Sequence, residues 1–433
     1  MTNPPRVAFY TLGCKLNFAE TSTIERLFVE RGFQPVDFNS STDVVVINTC
    51  TVTASADKKC RNIINKAARI SPGAFIAVVG CYSQLKADEI ARIPGVDLVL
   101  GSREKFGIFE YADQFKKKEE AEIYSCAITG KGGFSPSYSV SGRTRSFLKI
   151  QDGCDYFCSY CTIPMARGGS RSATVKEIIT QAREIARSGV KEVVLTGVNI
   201  GDFGTKGSES LLELLQNLEE KTDIERFRIS SIEPNLLSDD IISLVAKSEK
   251  FAPHFHMPLQ SGCEAILEKM NRKYRPQLFS DRVKRIKNEI PLAGIGADII
   301  TGFPGETDKN FIETYEFLKE SNIAFLHVFS YSDRKNTKAS GFPDKVSPQD
   351  KDSRSKILHE LADEKLSVFY EKCTGTSQKV LFESFNKKGR MSGFTGNYVK
   401  VETPWNEDKI NSFVSVELIG QGEDGIMKAK ISG

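Results

Sequence analysis

Three cysteines lie close together in the sequence GCDYFCSYC, at positions 154, 158 and 161. This C-x3-C-x2-C spacing puts three thiolates on one short loop. Such a loop can hold three irons of a [4Fe–4S] cluster and leave the fourth iron open to a substrate or cofactor. A zinc knuckle is the alternative, but zinc usually takes a fourth Cys or His nearby, and the first histidine of the chain is His254. The spacing therefore favours an iron–sulfur site at Cys154, Cys158 and Cys161.

Three more cysteines share one kind of position, the end of an apolar segment that is typical of a buried strand. Cys14, Cys50 and Cys81 close the sequences YTLGC, VINTC and VVGC. In an open parallel sheet the carboxyl ends of neighbouring strands meet in one crevice, so these thiols are expected to lie together and to form a second metal site. Three ordinary buried cysteines are the alternative, because free cysteine is often buried.

The composition limits the classes of function. The chain has 433 residues, of which 59 are basic and 56 acidic, and its net charge is +3. That balance argues against a protein that holds nucleic acid through diffuse basic charge alone, although a local patch remains open. The sequence has neither the pattern of a secretory signal nor an apolar run near the ~20 residues of a membrane span. We therefore expect a cytoplasmic protein without a membrane partner. The remaining cysteines are interpreted as structural: Cys60, Cys126, Cys263 and Cys373.

The hydrophobic pattern divides the chain into four parts and predicts an α/β protein. Residues 1–110 alternate apolar strands with helices, which is typical of a doubly wound parallel sheet. Residues 111–142, with the charge run KKKEE and a stretch rich in Gly and Ser, are interpreted as a linker. Residues 143–373 repeat strand and helix six times, which predicts a partial (β/α)6 barrel with its site at the carboxyl ends of the strands. Short strands between Gly- and Asn-rich turns in 374–433 predict a small antiparallel β-barrel.

The cysteine spacing, with Tyr160 before the last cysteine, resembles the radical S-adenosylmethionine (SAM) superfamily. The chain as a whole resembles the methylthiotransferases of that superfamily. They combine an N-terminal domain with three cluster cysteines, a radical SAM barrel and a C-terminal TRAM domain. The resemblance is carried by LGCKLN (12–17), NTCTVT (48–53), GCYSQ (80–84), CSYCTIPMARG (158–168), SSIEP (230–234), FHMPLQSG (255–262), MNRKY (270–274) and ADIITGFPGET (297–307).

That resemblance implies an enzyme with two [4Fe–4S] clusters, one on each group of three cysteines, and two SAM molecules per turnover. It implies that one SAM methylates a sulfur held on the N-terminal cluster. The other SAM is cleaved at the second cluster, and the resulting radical removes hydrogen from the substrate carbon, which then takes the methylthio group. An electron donor of the flavodoxin or ferredoxin type is an implied partner.

Further candidate site residues follow predicted strands of the barrel. The candidates for SAM binding are Tyr160, Glu233, Gly302, Pro304 and Gly305, and the candidates for substrate or SAM are Asn199, His256 and Gln260. Each has a structural alternative: a salt-bridged or capping glutamate, a plain β/α turn at the glycines, or a packed histidine.

A few residues indicate the branch of the family. The sequence Gly197-Val198-Asn199 and the segment RISSIEP (228–234) look most like the branch that acts on N6-threonylcarbamoyladenosine in tRNA. The predicted reaction is insertion of sulfur and methyl at C2 of that nucleoside, at position 37. Methylthiotransfer to N6-isopentenyladenosine in tRNA, or to an aspartate of a ribosomal protein, is the alternative within the family. A non-catalytic, metal-stabilised RNA-binding protein is the alternative from another class.

Recognition of a tRNA anticodon stem-loop, the predicted partner, requires a basic patch on one face. Basic residues with interleaved aromatics are typical of such surfaces. The candidates are Arg272, Lys273 and Arg275 in the barrel and Lys387, Lys388 and Arg390 in the C-terminal part. A solvated helix face is the alternative for the first group.

Overall fold

A six-stranded parallel sheet forms the first part of the computed structural model, which describes residues 4–112, 114–128, 133–140, 144–386 and 389–431. Its strands are β1 (Arg6–Thr11), β2 (Gln34–Val36), β3 (Val44–Thr49), β4 (Phe75–Gly80), β5 (Leu98–Leu100) and β6 (Glu122–Tyr124). Its helices are α1 (Lys15–Glu30), α2 (Ala54–Ile70), α3 (Cys81–Leu85), α4 (Ala87–Ala91) and α5 (Ile108–Tyr111). Every residue of β3 and β4 is buried, as expected for a sheet covered on both faces.

The strand order β2-β1-β3-β4-β5-β6 places β1, β3 and β4 side by side. All neighbouring pairs run parallel, so their carboxyl ends share one edge. The order reverses between β1 and β3, and open parallel sheets bind ligands in the crevice at such a point. Cys14, Cys50 and Cys81 follow the ends of these three strands.

Part of the predicted linker belongs to this sheet. Strand β6 pairs in parallel with β5, and the ring of Phe115 lies 5.2 Å from that of Phe28, a core residue. The Lys117 ammonium group of the KKKEE run binds the buried Asp97 carboxylate at 2.8 Å. The first unit therefore extends to residue 124, beyond the predicted boundary at 110. A three-residue strand between charged residues shows too little alternation to be recognised in the sequence.

Six parallel strands, with helices outside them, form an open barrel in the centre of the chain. The strands are β8 (Arg145–Lys149), β11 (Glu192–Thr196), β12 (Arg226–Ile229), β13 (His254–His256), β14 (Gly294–Thr301) and β15 (Phe325–Ser330), with the short strands β7 (Ser137–Tyr138), β9 (Gln151–Asp152) and β10 (Arg171–Ser172) beside them. The helices are α6 (Ile163–Arg167), α7 (Val175–Arg187), α8 (Leu211–Lys221), α9 (Asp239–Lys247), α10 (Glu264–Lys269), α11 (Pro276–Glu289), α12 (Asp308–Glu320) and α13 (Pro348–Cys373). Single bridges between Phe227 and Phe251 and between Ser231 and His256 join β12 to β13. This confirms the predicted partial barrel.

Helix α1 of the first sheet lies against the interior of this open barrel. Ala19 packs with Phe147 of β8 and Val194 of β11, and the rings of Phe18 and Phe147 are 6.3 Å apart. The carboxyl ends of the N-terminal strands therefore face the barrel. We use "lumen" for the interior of the barrel between α1 and the six strands.

A closed barrel ends the chain, with strands β16 (Ser377–Asn386), β17 (Arg390–Thr395), β18 (Lys400–Pro404), β19 (Phe413–Gln421) and β20 (Met427–Ile431). A small barrel was predicted, but its closing pair, β18 with β20, runs parallel while the others run antiparallel. It covers the floor of the lumen: Arg228 of β12 donates hydrogen bonds to the carbonyl groups of Thr395 and Gly396, and Tyr398 stacks on His254 at 4.7 Å. None of the helices in the described part of the chain has the length and apolarity that a bilayer crossing requires.

Candidate active site

Cys154, Cys158 and Cys161, which we call the loop triad, lie on the loop that follows β9 at the rim of the barrel. Each sulfur accepts a hydrogen bond from a nearby N–H group. The donors are the backbone N–H of Tyr156 to Cys154 (3.3 Å), the guanidinium of Arg272 to Cys158 (3.2 Å) and the backbone N–H of Ile163 to Cys161 (3.5 Å). Such bonds stabilise negative charge on sulfur and tune a bound iron–sulfur cluster.

Cys14, Cys50 and Cys81, which we call the strand-end triad, lie in the crevice at the reversal point of the parallel sheet. Gly13 has φ +100°, and a Cβ atom there would lie 2.6 Å from the Cβ of Cys50, so glycine lets the first two loops approach each other. The Asn17 amide donates to the carbonyl of Leu12 (2.7 Å) and to that of Thr49 (3.0 Å), which ties the same two loops together.

Burial makes the thiols of both triads hard to ionise. Burial raises the pKa of Cys50, Cys154 and Cys161 to about 12, and the other thiols of each triad add to the increase. A metal must therefore displace these protons on binding.

A buried ionic network joins the two triads. Arg167, which ends the helix after the loop triad, donates to Glu20 (3.0 Å) and Asn17 (2.7 Å) of α1 and to Asp152 (2.9 Å) of β9. Lys149 binds both carboxylates, at 2.9 and 2.7 Å, and Lys105 binds Glu20. Desolvation alone would raise the pKa of Glu20, but Arg167 and the lysines hold it well below its usual value. The cations of this network outnumber its carboxylates. The resulting net positive charge stabilises negatively charged thiolates nearby.

A second buried contact fixes the loop that carries Cys50. Arg334, beyond the last strand of the open barrel, donates to the Asp57 carboxylate (3.0 Å) and to the Thr51 hydroxyl (2.6 Å). Thr51 in turn donates to Asp57 at 2.7 Å. The strand-end triad thus depends on contacts with the barrel as well as on its own sheet.

The predicted SAM residues divide into two groups. Glu233 forms an ion pair with Arg272, and Tyr160 packs on Phe303 with ring centroids 6.3 Å apart, so both lie beside the loop triad. Lysine side chains lie against both glycines. The space that a side chain at Gly302 would occupy is filled by Lys351, and at Gly305 by Lys269, with buried Pro304 between them. These three residues form a β/α turn, and their role in SAM binding stays a prediction.

Several buried polar atoms at the strand ends lack a hydrogen-bond partner among the described residues. They are Asn199 Oδ1 after β11, Ser230 Oγ and Asn235 Oδ1 after β12, and the Tyr331 hydroxyl after β15. Unpaired buried polar atoms are costly, so their position at the site-bearing end of a barrel fits a polar ligand. Asn199 also donates to Asp202 at 3.1 Å, and burial raises the pKa of Asp202 to about 6.

His256 and Gln260 are brought together with Asp298 in the lumen. His256 Nε2 lies 3.0 Å from Asp298 Oδ2, and His327 Nδ1 lies 3.2 Å from Asp298 Oδ1. The backbone N–H of Gln260, at φ +69°, donates to the Asp298 carbonyl at 2.7 Å. The two imidazole rings stack with centroids 5.2 Å apart. This cluster is partly open to the lumen, since the His327 side chain is 56% exposed.

The RNA candidates lie in different environments. Arg272 is buried beside Cys158, with 4% of its side chain exposed, so it does not lie where a surface contact to phosphate would be made. Lys273 and Arg275 are exposed, and Arg275 pairs with Glu264 at 2.9 Å. Arg390 pairs with Glu402 at 3.0 Å. Lys387 and Lys388 fall outside the described residues.

The sequence analysis missed several charged and polar residues, some of which connect the domains, while Asp298 and His327 pair within the open barrel. They are Lys15, Asn17, Glu20, Asp57, Lys105, Lys149, Asp152, Arg167, Asp298, His327 and Arg334. A charged residue inside an otherwise apolar strand or helix was the available signal, as with Lys149 at the end of RSFLK and Glu20 in α1. Their partners are distant in sequence and could not be paired from it.

Comparisons with known proteins agree with this arrangement. Residues 6–101 match the model of the uncharacterized protein family UPF0004, and residues 148–318 match that of the radical SAM superfamily. The chain is 39% identical to the "Threonylcarbamoyladenosine tRNA methylthiotransferase MtaB" of Bacillus subtilis over 96% of this chain and 94% of the relative. It is 32% identical to the "tRNA-2-methylthio-N(6)-dimethylallyladenosine synthase" of Clostridium tetani over 94% and 92%.

A solved structure shares the fold. The radical S-adenosylmethionine methyltransferase TsrM of Kitasatospora setae superposes with a TM-score of 0.55 at 13% sequence identity, over 90% of this chain and 80% of that one. The full-length similarity to methylthiotransferases, with both family models on the two triad-bearing parts, identifies the protein: the chain belongs to the radical SAM methylthiotransferase family and is an enzyme of that kind.

Proposed function

We propose that this enzyme transfers a methylthio group to C2 of N6-threonylcarbamoyladenosine at position 37 of tRNA. The observation that carries the proposal is the pair of thiol triads. They lie at strand ends of two different domains and are joined through the Arg167 network. The B. subtilis relative, named for this nucleoside, is 39% identical over nearly the whole chain and supports the choice of substrate.

The residues of the loop triad would hold a [4Fe–4S] cluster with SAM on its open iron, and the strand-end triad would hold a second cluster. Three thiols at each site and the unpaired polar atoms of Asn199 and Ser230 support these assignments. When bound, the clusters and SAM supply reductive cleavage of SAM, a methyl group and sulfur. Tyr160 and Glu233 are proposed neighbours of SAM, and the turn at Gly302, Pro304 and Gly305 stays a predicted contact.

The chain's own residues position and shield these groups. Arg272 donates to the Cys158 sulfur and pairs with Glu233, so it links the loop triad to the end of β12. Arg167 and Lys149 fix the distance between the triads by binding carboxylates from both domains. The RNA would approach the open side of the lumen, with Lys273, Arg275 and the C-terminal barrel as further proposed contacts. A small redox protein of the flavodoxin or ferredoxin type is the proposed electron donor.

Nucleoside mass spectrometry of tRNA tests the proposal. We expect tRNA from cells that lack this gene to lose 2-methylthio-N6-threonylcarbamoyladenosine and to keep its unmethylthiolated precursor. Reintroducing the wild-type gene should restore the nucleoside, while a gene with the loop triad replaced by alanine should not. Loss of the methylthio-isopentenyl nucleoside instead would contradict the substrate and favour the function named for the C. tetani relative.

The purified protein provides the second measurement. Anaerobic reconstitution should give about eight irons per chain, four for each triad. About four irons, or zinc in place of iron, would contradict the assignment of two clusters.

A further inference from the structure

The lumen holds a polar cluster of His256, Asp298 and His327, which lies outside both thiol triads. Asp298 lies on β14, directly opposite His327 on β15, and His256 ends β13 beside them. Both carboxylate oxygens of Asp298 are taken by imidazole nitrogens, at 3.0 and 3.2 Å. His327 therefore presents its second ring nitrogen, Nε2, to the lumen while Asp298 holds the ring in place.

One cation enters this lumen without a counter-ion. Lys15 begins α1 directly after Cys14, is exposed, and makes no ion pair with any residue that the structure describes. The charged groups that act most strongly on it belong to the open barrel: Arg228, Arg145, Asp298 and Glu192. Lys15 in turn acts on His254.

The other charges around Lys15 already have partners. Glu192 pairs with Arg226 and Arg228, and Arg145 pairs with Glu383. Asp298 is bound by two histidines. The charge of Lys15 is thus left for a ligand, and an unpaired cation in a protein-lined cavity favours an anionic one.

The aromatic ring of Phe329 lies nearer to the rim of the open barrel than His327 does. Phe329 lies two residues after His327 on β15, so both side chains point to the same face of the strand. Its side chain is 49% exposed, which is unusual for a phenylalanine that faces the interior of a barrel. Exposed aromatic rings serve as platforms on which bases stack.

We propose that Lys15, His327 and Phe329 form the pocket that reads the modified base. Phe329 stacks on the adenine ring, and Lys15 binds the carboxylate of the threonyl group. His327, as an imidazolium with Nδ1–H on Asp298, donates from Nε2 to the same acid end. The inference rests on the proposed function and names the residues that recognise its substrate. In that nucleoside the acid end is attached at N6, and only C6 and N1 separate N6 from the C2 carbon that receives sulfur. A cation next to Cys14 of the strand-end triad therefore lies close to where the acid end would be when C2 receives sulfur.

An apolar N6 substituent would not suit this pocket. An isopentenyl group offers no anion to Lys15 and no acceptor to His327, so binding would leave both groups desolvated and unpaired. The polar lumen thus favours the threonylcarbamoyl nucleoside over the isopentenyl one by a penalty against the wrong substrate.

A cycle that changes the enzyme and the RNA in turn tests the role of Lys15. The probes are one anticodon stem-loop with N6-threonylcarbamoyladenosine at position 37, the same RNA with the carboxylate replaced by a neutral carboxamide, and the same RNA with plain adenosine. Binding to the reconstituted holoenzyme is followed by fluorescence anisotropy. We expect the wild type to prefer the carboxylate over the carboxamide by about tenfold, the value of one charge-assisted hydrogen bond. Lys15→Gln should keep only the part of this preference that His327 provides, about threefold.

Matched variants distinguish recognition of the carboxylate charge from stacking on the adenine base. Lys309→Gln, an exposed lysine on the outer helix α12, should keep the wild-type ratio. His327→Leu should reduce the ratio to about threefold, because one of two donors is lost. Phe329→Ala should weaken binding of all three RNAs by a similar factor and leave the ratio unchanged, because stacking does not depend on the N6 substituent.

The iron content shows whether the substitution of Lys15 disturbs the neighbouring Cys14. Lys15→Gln must hold the same iron as the wild type; if it does not, His327→Leu decides the test. The inference is overturned if Lys15→Gln, with full iron, keeps the full wild-type preference for the carboxylate, or if the wild type modifies the threonylcarbamoyl RNA without preferring it over the carboxamide. If the wild type does not modify that RNA at all, the proposed function fails first.

A divalent ion is the other ligand that the His256, Asp298 and His327 cluster would accept, since their ligand atoms lie within 4.8 Å of one another. Elemental analysis of the holoenzyme distinguishes the two. One stoichiometric metal ion besides iron, lost in His327→Leu, would overturn the assignment of His327 to the substrate. Iron alone is the expected result.

Discussion

The two thiol triads each bring three cysteines together, but they do so with different kinds of structure. The loop triad lies within eight consecutive residues, and two of its three sulfur hydrogen bonds come from the same loop. The strand-end triad gathers residues 14, 50 and 81 from three strands and depends on Asn17 to tie two of the loops together. A local site needs only its loop, whereas a site at strand ends needs the whole sheet and its docking to the barrel.

Because of this difference, we expect the two triads to be disrupted by different substitutions. The loop triad should survive changes in the N-terminal sheet, because its ligands and most of its donors are close in sequence. The strand-end triad should be sensitive to contacts far from its cysteines, above all Arg167 and Arg334.

Replacement of the triads themselves should have the largest effect. With alanine at all three positions of the loop triad, SAM cleavage to 5′-deoxyadenosine should be lost entirely. With alanine at the strand-end triad, cleavage should continue while no methylthio nucleoside forms. Each variant should lose about four of about eight irons. Liquid chromatography with mass spectrometry follows both products.

The control for that comparison is Cys126→Ala, which removes an exposed cysteine outside both triads. It should behave like the wild type in iron content and in both products. Methylthio product from the strand-end variant would show that the two triads do not divide the chemistry in this way.

Arg167→Met should have the next largest effect, because it removes the cation that binds Glu20 and Asp152 from one position. Breaking a buried ion pair and leaving its carboxylates under-compensated costs about 3 kcal/mol of unfolding free energy. Urea denaturation measures it. Arg187→Met, at an exposed position of α7, is the matched control and should change stability by less than about 0.5 kcal/mol. A similar small loss for Arg167→Met would mean that the lysines hold the domains together alone.

Arg334→Met should have a smaller and more selective effect. Among the described residues it leaves Asp57 with Thr51 and Lys86 as side-chain partners, and it loosens the loop that carries Cys50. We expect a loss of about 2 kcal/mol and reduced iron at the strand-end triad with full SAM cleavage at the loop triad. Equal loss of iron from both triads would contradict the view that this contact serves only one of them.

Acidification tests a contact outside both triads. Of all these changes, it should alter the unfolding free energy least near neutral pH, because the affected carboxyl group titrates only below pH 4.5. Desolvation alone would raise the pKa of Glu192, but Arg228 and Arg226 lower it to about 2, against an ordinary value of 4.5. A carboxyl group whose folded-state pKa is lowered stabilises the protein above pH 4.5, and this contribution is lost as the pH falls from 4.5 towards 2.

Urea denaturation of the cluster-free protein across that pH range measures this loss. The unfolding free energy of the wild type should fall more steeply than that of Glu192→Gln, whose amide does not titrate. Parallel curves would mean that Arg226 and Arg228 do not bind a charged Glu192.

Local sequence determined much of this protein. Continuous apolar segments such as DVVVINTC and FIAVVGC indicated buried strands, and six repeats of strand and helix predicted the open barrel that the structure shows. The loop triad was visible because its three cysteines occupy eight residues. The strand-end triad could be inferred as well, because parallel strands bring their carboxyl ends to one edge.

Only the tertiary structure decided how the parts meet. Arg272 looked like a surface cation, yet it lies buried against Cys158, and the glycines after β14 make room for lysines. Glu20 and Arg167 are 147 residues apart, and Asp57 and Arg334 are 277 apart. No sequence period links such partners, because a buried charge is paired by whichever element packs over it. Sequence therefore determined where the thiols are, and the packing of α1 into the open barrel decided what faces them.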